Sequence, residues 1–240
     1  MKTFTKITAL LVILLTTSSC FIDGITGIRG NGKVVSEERT INSDFNEIKV
    51  QQGINLYLTQ GNSTNLEVEA DENIIGLLIT EVKNNELNIY FEKNVYRAKS
   101  RDVYVSATNI SKIKTSSGAS VKSDDMLQVN SLNLDASSGS SIKIYANAEE
   151  IMSSASSGAS IDIYGKTTSF SATASSGSSI DANKLKTVNA FAKASSGANI
   201  DLNVSKKLTA KASSGGDIDY EGNPTEVNKD TSSGGSVSRS

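Results

Sequence analysis

The tripeptide Ser-Ser-Gly recurs seven times from residue 116 onward in the 240-residue chain, with its glycines 18 to 21 residues apart. A β-branched apolar residue stands three positions after each glycine, and an alanine or threonine precedes each Ser-Ser. The glycines are Gly118, Gly139, Gly158, Gly177, Gly197, Gly215 and Gly234, and the β-branched residues are Val121, Ile142, Ile161, Ile180, Ile200, Ile218 and Val237. A fixed period near 19 residues without helical periodicity is typical of a solenoid.

Each repeat predicts two short strands. One strand follows the glycine, as in SIKIY and NIDLN, and the other precedes the next Ser-Ser-Gly, as in FSATA and LTAKA. Coils stacked at the strand spacing of about 4.8 Å would align the isoleucines into a buried ladder, and glycine permits a tight corner. We therefore expect an all-β fold, a β-helix of about 19-residue coils. Low-complexity disorder is the alternative for a Ser/Gly-rich chain, but the unbroken Val/Ile column argues against it.

Residues 36–114 lack Ser-Ser-Gly but alternate apolar and polar residues in five segments, which predicts a β-rich N-terminal region followed by the repeat β-helix at 115–240. The predicted strands are 45–50, 54–60, 66–70, 87–92 and 103–108. Asn84-Asn85 is typical of a hairpin turn. Residues 71–78, DENIIGLL, are either a short helix capped by Asp71 or the start of another strand.

The first nineteen residues have the layout of a signal peptide. Lys2 and Lys6 precede the nine-residue apolar run ITALLVILL, which is too short to cross a bilayer. Small residues and then Cys20 follow, which resembles a lipobox, although Thr17 replaces the usual leucine, as in the looser lipoboxes of Bacteroidetes. We expect cleavage before Cys20 and lipidation of its thiol. The alternative is an ordinary secretory signal cut near Ser19.

Lipidation of Cys20 predicts a membrane anchor in the cell envelope. Phe21, and not aspartate, follows the cysteine, which favours the outer membrane, at either its surface or its periplasmic face. The glycine-rich residues 20–35 are typical of a flexible tether.

The composition excludes several kinds of chemistry. The chain has no histidine and one cysteine, so a Ser-His-Asp triad, a Cys-His pair and a histidine-ligated zinc site are all excluded. A formal charge of −2 argues against nucleic acid as a partner. The sequence predicts no cofactor, no resident metal and no catalytic residue. Stacked serines of the repeats have no activating base, and we expect them to exchange hydrogen bonds along the ladder.

Four aspartates stand directly after the isoleucine column, and two lysines precede them in the same column. These residues are Asp162, Asp181, Asp201 and Asp219, preceded by Lys122 and Lys143. Stacked carboxylates repel unless a cation lies between them, so they are candidates for a weak cation ladder. The alternative is a solvated outward face, where repulsion costs little. The spacing differs from the nine-residue calcium-binding repeat.

The stretch VQQGINLYLTQGNSTNLEVEADENIIGLLITEVKNNELNIYF resembles the head GIN domain family, also called the auto-transporter adhesin family (DUF2807). The name-giving motif matches Gly53, Ile54 and Asn55, and the resemblance covers residues 37 to 220. It implies a secreted or lipid-anchored envelope protein built on a right-handed parallel β-helix, and it implies no catalytic residues.

Two functions fit these observations. One is an adhesin-like module that presents a long flat β-face to a protein or glycan ligand, and the other is a structural or stress-related envelope component. A polysaccharide-processing β-helix enzyme is a further alternative, because glycoside hydrolysis needs only two carboxylates. The absence of tryptophan argues against the aromatic platforms of such enzymes, and we expect no enzymatic activity.

Overall fold

The computed structural model describes residues 27–41 and 43–240, which form an all-β solenoid of about seven turns with roughly 19-residue spacing. The predicted signal peptide and Cys20 lie outside the described residues. Within the described part, no helix is long and apolar enough to cross a membrane.

The described chain contains nineteen strands and one 3₁₀ turn, Ile75–Leu77. The strands are β1 Ile28–Arg29, β2 Val34–Glu38, β3 Glu47–Val50, β4 Asn55–Gln60, β5 Asn65–Asp71, β6 Leu78–Lys83, β7 Glu86–Phe91, β8 Val95–Arg97, β9 Arg101–Ala107, β10 Lys112–Thr115, β11 Ser120–Gln128, β12 Ser131–Ala136, β13 Ser141–Ala155, β14 Ser160–Ala174, β15 Ser179–Ser195, β16 Asn199–Ser213, β17 Asp217–Glu221, β18 Glu226–Thr231 and β19 Ser236–Arg239.

Two faces, each formed mainly by parallel strands, enclose the core. Face A consists of β9, β4, β11, the first halves of β13 to β16, β17 and β19. Face B consists of β7, β3, β10, β12, the second halves of β13 to β16, and β18. The four longest strands bend from face A into face B, so one coil contributes to both faces.

The isoleucine column is the internal ladder that the repeat predicts. Ile161, Ile180 and Ile200 are direct neighbours in the parallel register, and each is at most 1% exposed. The next residue in each strand, such as Asp181, is partly exposed. Strand alternation therefore places the isoleucines inward and the aspartates outward.

Each Ser-Ser-Gly forms the corner that leads from face B to face A. The second serine has φ between +50° and +55° and the glycine between +66° and +76°. Positive φ at both central residues is the signature of a type I′ turn. In the first corner Ala119 N donates to Ser116 O at 3.2 Å, and Gly118 N donates to Ser138 O of the next coil at 3.1 Å. The corners are thus stacked by hydrogen bonds as the strands are.

The Gly-Ile-Asn motif belongs to the same kind of corner. Gln52 has φ +60° and Gly53 has φ +66°, and Gly53 N donates to Ser117 O at 3.0 Å. Leu56, three positions after Gly53, pairs in register with Val121. Residues 36–114 and 115–240 therefore share one sheet through the β10–β12 and β4–β11 pairs, and their division into two regions stays a prediction.

Antiparallel strands extend the N-terminal end of both faces. On face A, β5 pairs with β9 and β2 pairs with β5. On face B, β6 pairs with β7 through a two-residue turn, in which Asn84 and Asn85 have φ of +51° and +66°. The predicted Asn-Asn hairpin is confirmed, because both residues adopt the left-handed conformation that a type I′ turn requires.

Asp71 is not a helix cap, so the first of the two alternatives for residues 71–78 is wrong. It ends β5, and its buried carboxylate accepts hydrogen bonds from Gly32 N at 2.7 Å, Lys99 N at 3.0 Å and Ser100 N at 3.1 Å. Only a single 3₁₀ turn forms before β6, without a side-chain cap. Burial alone would raise the pKa of Asp71, but these three donors and the charge of Lys99 lower it.

The predicted tether is also wrong for residues 27–35. Within that segment β1 pairs with β8, and β2 begins at Val34 and pairs with β5. Gly32 N is held by Asp71. The segment is fixed because its backbone has partners in the body of the domain, which the glycine-rich composition alone does not reveal.

The last coil carries a charged residue at an inward position. In β18, Lys229 is the register partner of Ala210 on the preceding coil. Its ammonium donates to Val237 O at 3.0 Å and lies 4.9 Å from the ring centroid of Tyr220. An inward charge on a terminal strand opposes the addition of another coil.

Candidate binding surface on face A

One outward row of side chains crosses face A from β2 to β17. Each neighbouring pair is in direct register, in the order Glu38, Glu67, Tyr104, Tyr57, Lys122, Lys143, Asp162, Asp181, Asp201 and Asp219. We call this set the central row. It changes along the solenoid from acidic to aromatic, then to basic, and again to acidic.

The acidic end of the central row contains the candidate cation ladder. Burial first and the charge of Asp181 second raise the pKa of Asp162, against the lowering effect of Lys143. Burial, then Asp181, Asp219 and Glu221, raise the pKa of Asp201. Within residues 27–41 and 43–240, no three or more acidic or cysteine side chains are arranged to hold a metal ion. The weak cation ladder therefore stays a prediction.

A basic aromatic patch lies next to the middle of the central row. Tyr145 and Tyr164 stack with ring centroids 4.7 Å apart. The ammonium groups of Lys143 and Lys184 lie 5.5 Å and 5.7 Å from the Tyr164 centroid. These contacts occupy the Tyr164 ring of the pair with cations of the protein itself.

A second tyrosine pair, Tyr57 and Tyr104, stacks with centroids 5.0 Å apart and an interplanar angle of 15°. Both rings line a pocket of about 720 Å³, which we call the tyrosine pocket. Its other lining residues include Glu38, Arg39, Thr59, Asn65, Glu67 and Ser106. Burial is the first cause that raises the pKa of both tyrosines, and nearby carboxylates, Asp102 for Tyr57 and Glu69 for Tyr104, raise it further.

A groove of about 810 Å³ follows the bend from face A to face B. Lys166 and Lys186 are register neighbours on this bend and are exposed. Val129, Ala148 and Val188 also line the groove. The groove is a second, less aromatic surface along the coils.

The motif residues Gly53, Ile54 and Asn55 make contacts that hold the fold together. Gly53 is in a corner, Ile54 is fully buried, and the Asn55 side chain donates to Asp102 Oδ1 at 2.7 Å. Serines two positions after the repeat glycines hydrogen-bond between coils, as Ser141 Oγ donates to Ser120 Oγ at 3.0 Å. Side-chain hydrogen bonds between the Ser-Ser-Gly serines themselves stay a prediction.

Sequence reasoning did not identify the tyrosine pocket. Its signal is the match between Asn-Leu-Tyr-Leu-Thr at 55–59 and Asp-Val-Tyr-Val-Ser at 102–106. These segments are register partners throughout. The match was hidden because the two segments are 47 residues apart, far from the 19-residue period.

The fold defines a class of β-solenoids with a closed interior that is filled by apolar side chains. The chain belongs to the family described as putative auto-transporter adhesin, head GIN domain, whose model matches residues 44–224. No curated protein matches the chain significantly.

Solved structures share this fold at low sequence identity. A putative adhesin from Bacteroides fragilis has a TM-score of 0.82 and 18% identity, covering 89% of this chain and 100% of its own. A putative adhesin from Parabacteroides distasonis has a TM-score of 0.74 and 21% identity, with coverage of 89% and 99%. A putative lipid binding protein from the same species has a TM-score of 0.70 and 19% identity, also with 89% and 99%. The family suggests a protein of the cell envelope or surface.

Proposed function

We propose that this protein is an adhesin-like binding module of the outer membrane, anchored by a lipid on Cys20 and without catalytic activity. The observation that carries the binding role is the central row. It presents charged and aromatic side chains in unbroken register over many coils, while the interior of the solenoid is filled by apolar side chains. A rigid, repeated face of this kind suits an extended protein or glycan ligand.

The anchor rests on the apolar run that precedes Cys20, the one cysteine of the chain. A triacylated cysteine would anchor stably, because more than one acyl chain is needed for lasting membrane attachment. Metabolic labelling with an alkyne fatty acid should mark the wild type and leave Cys20→Ser unmarked. Equal labelling of both would contradict the anchor.

The surface role is tested by protease treatment of intact cells. An adhesin must be cleaved from outside, whereas a structural or stress-related periplasmic component must be protected until the outer membrane is opened. Protection on intact cells would refute surface display while leaving the anchor untouched.

The non-catalytic role is tested on panels of polysaccharide, ester and peptide substrates, where we expect no turnover. A reproducible activity that Asp181→Asn abolishes would contradict it. The lack of histidine removes the commonest general base near neutral pH.

A further inference from the structure

The tyrosine pocket combines an aromatic wall with negative charge. Tyr104 is 40% exposed, and Tyr57 stacks behind it. Glu38 and Glu67 line the same pocket. The faces of tyrosine rings attract cations through their quadrupole.

The carboxylates around this pocket repel one another, which lowers the stability of the sheet. Glu38 is the direct cross-strand partner of Glu67, and Glu69 is that of Asp102. Like charges directly opposite each other on antiparallel strands destabilise a sheet. Among the residues that the structure describes, Glu38, Glu67 and Glu69 form no ion pair.

On face B, by contrast, lysine side chains compensate neighbouring carboxylates. There Lys114 lies 2.5 Å from Glu86 and 3.4 Å from Glu47, and Lys207 lies 2.8 Å from Glu226. The like-charged register partners Glu47 and Glu86 on face B thus share a lysine counter-ion, whereas the carboxylates of Glu38, Glu67 and Glu69 around Tyr104 have no such partner within the described part of the chain. A cation from outside would relieve this repulsion.

Two cationic side chains of the described residues lie near the pocket, and neither forms an ion pair with Glu38 or Glu67. Arg39 lines it, but its guanidinium pairs with Glu37 at 3.5 Å and donates to the carbonyls of Ile75, at 2.8 Å, and Leu78. Lys122 is beyond Tyr57 in the central row and is exposed.

We propose that the tyrosine pocket is a binding site for a lysine or arginine side chain of a basic protein segment. This inference rests on the proposed binding role and names its ligand chemistry. The cationic head lies against the Tyr104 ring, behind which Tyr57 is stacked, and Glu38 and Glu67 pair with its charge. A volume of about 720 Å³ admits such a side chain together with a short stretch of its backbone.

The test is calorimetric titration of the full chain in non-ionic detergent with tetralysine, compared with Nε-acetylated tetralysine. We expect binding of tetralysine alone, weakened by salt because surface charges are screened. Tyrosine fluorescence is a second readout, since the chain has seven tyrosines and no tryptophan.

Matched variants locate the site. Tyr104→Leu should weaken binding about tenfold, as expected from the loss of a cation–π contact and its pocket. Tyr145→Leu removes a ring from the other stacked pair and should change the affinity less than about twofold. Glu67→Gln, an isosteric surface change, should also weaken binding and keeps the test valid if Tyr104→Leu fails to fold.

Three results would overturn the proposal. The first is that acetylated tetralysine binds as tightly as tetralysine, and the second is that Tyr104→Leu and Tyr145→Leu weaken binding equally. The third is that Asp181→Asn weakens binding and Glu67→Gln does not, which would place the cation on the aspartate ladder. A neutral glycan that binds in place of tetralysine would contradict this ligand chemistry and leave the adhesin-like role standing. Protease protection on intact cells would contradict the surface role independently of this pocket.

Discussion

Replacing Ile180 and Asp181 separately by alanine should give very different stabilities, although the two residues are adjacent. Ile180 is fully buried between Ile161 and Ile200 of the neighbouring coils. Asp181 lies on the outward side of the same strand. Because the two residues are neighbours in one strand, a difference in stability between the two variants reports whether the side chain faces inward or outward.

The magnitudes follow from these surroundings. Truncating a buried isoleucine to alanine costs about 2–5 kcal/mol, because apolar contacts are lost and a cavity remains between the coils. Asp181 accepts one hydrogen bond, from Asn183 N at 3.1 Å, and it raises the pKa of its neighbours Asp162 and Asp201 by repulsion. The two effects of Asp181→Ala oppose each other, so we expect a net change within about 0.5 kcal/mol.

Urea unfolding of the wild type and both variants, monitored by circular dichroism, measures this contrast. The urea midpoint of Ile180→Ala should fall well below that of the wild type. Amide hydrogen exchange should become faster in the adjacent coils, because solenoid stability depends on nearest neighbours. If Asp181→Ala is the more damaging change, the strand register is wrong by one residue and the aspartates face the core.

Three further predictions concern other parts of the fold. Asp71→Asn should cost about 1.5–3 kcal/mol in urea unfolding, because an amide group would face at least one of the backbone N–H donors now bound by the carboxylate; an unchanged midpoint would show that these hydrogen bonds are dispensable. Lys229→Ala should cause concentration-dependent end-to-end association in sedimentation velocity, whereas Lys229→Arg should stay monomeric; equal behaviour of both would refute the role of the inward charge. Asp162→Asn with Asp201→Asn should stabilise the protein at pH 7, and the gain should vanish below the ordinary aspartate pKa of 3.8, because burial raises both folded-state pKa values and the penalty exists only when the carboxylates are ionised; a gain that persists in acid would contradict this cause.

The repeat region was predictable from the sequence because its signals are local. The Ser-Gly turn requires positive φ at two consecutive positions, and the residue three positions after each glycine faces the core in coil after coil. Each coil repeats the same spacing, so burial of the isoleucines follows from strand alternation.

The N-terminal end was less predictable because its contacts are not local. Gly53 makes the same corner as the repeat glycines, but β5 to β9 are inserted between it and Gly118. The role of Asp71 depends on Gly32 and Ser100, which lie 39 and 29 residues away. No local pattern shows which distant backbone groups a carboxylate will bind.

The central claim, display of this solenoid from a lipidated Cys20, is most directly tested by cysteine labelling. Thr173→Cys adds a thiol at an exposed position of face B to a chain with one other cysteine. A membrane-impermeant maleimide should label Thr173→Cys on intact cells, and it should leave the wild type unlabelled even after lysis, because lipidation blocks the thiol of Cys20. Labelling of Thr173→Cys only after the outer membrane is opened, or labelling of the lysed wild type, would contradict the claim.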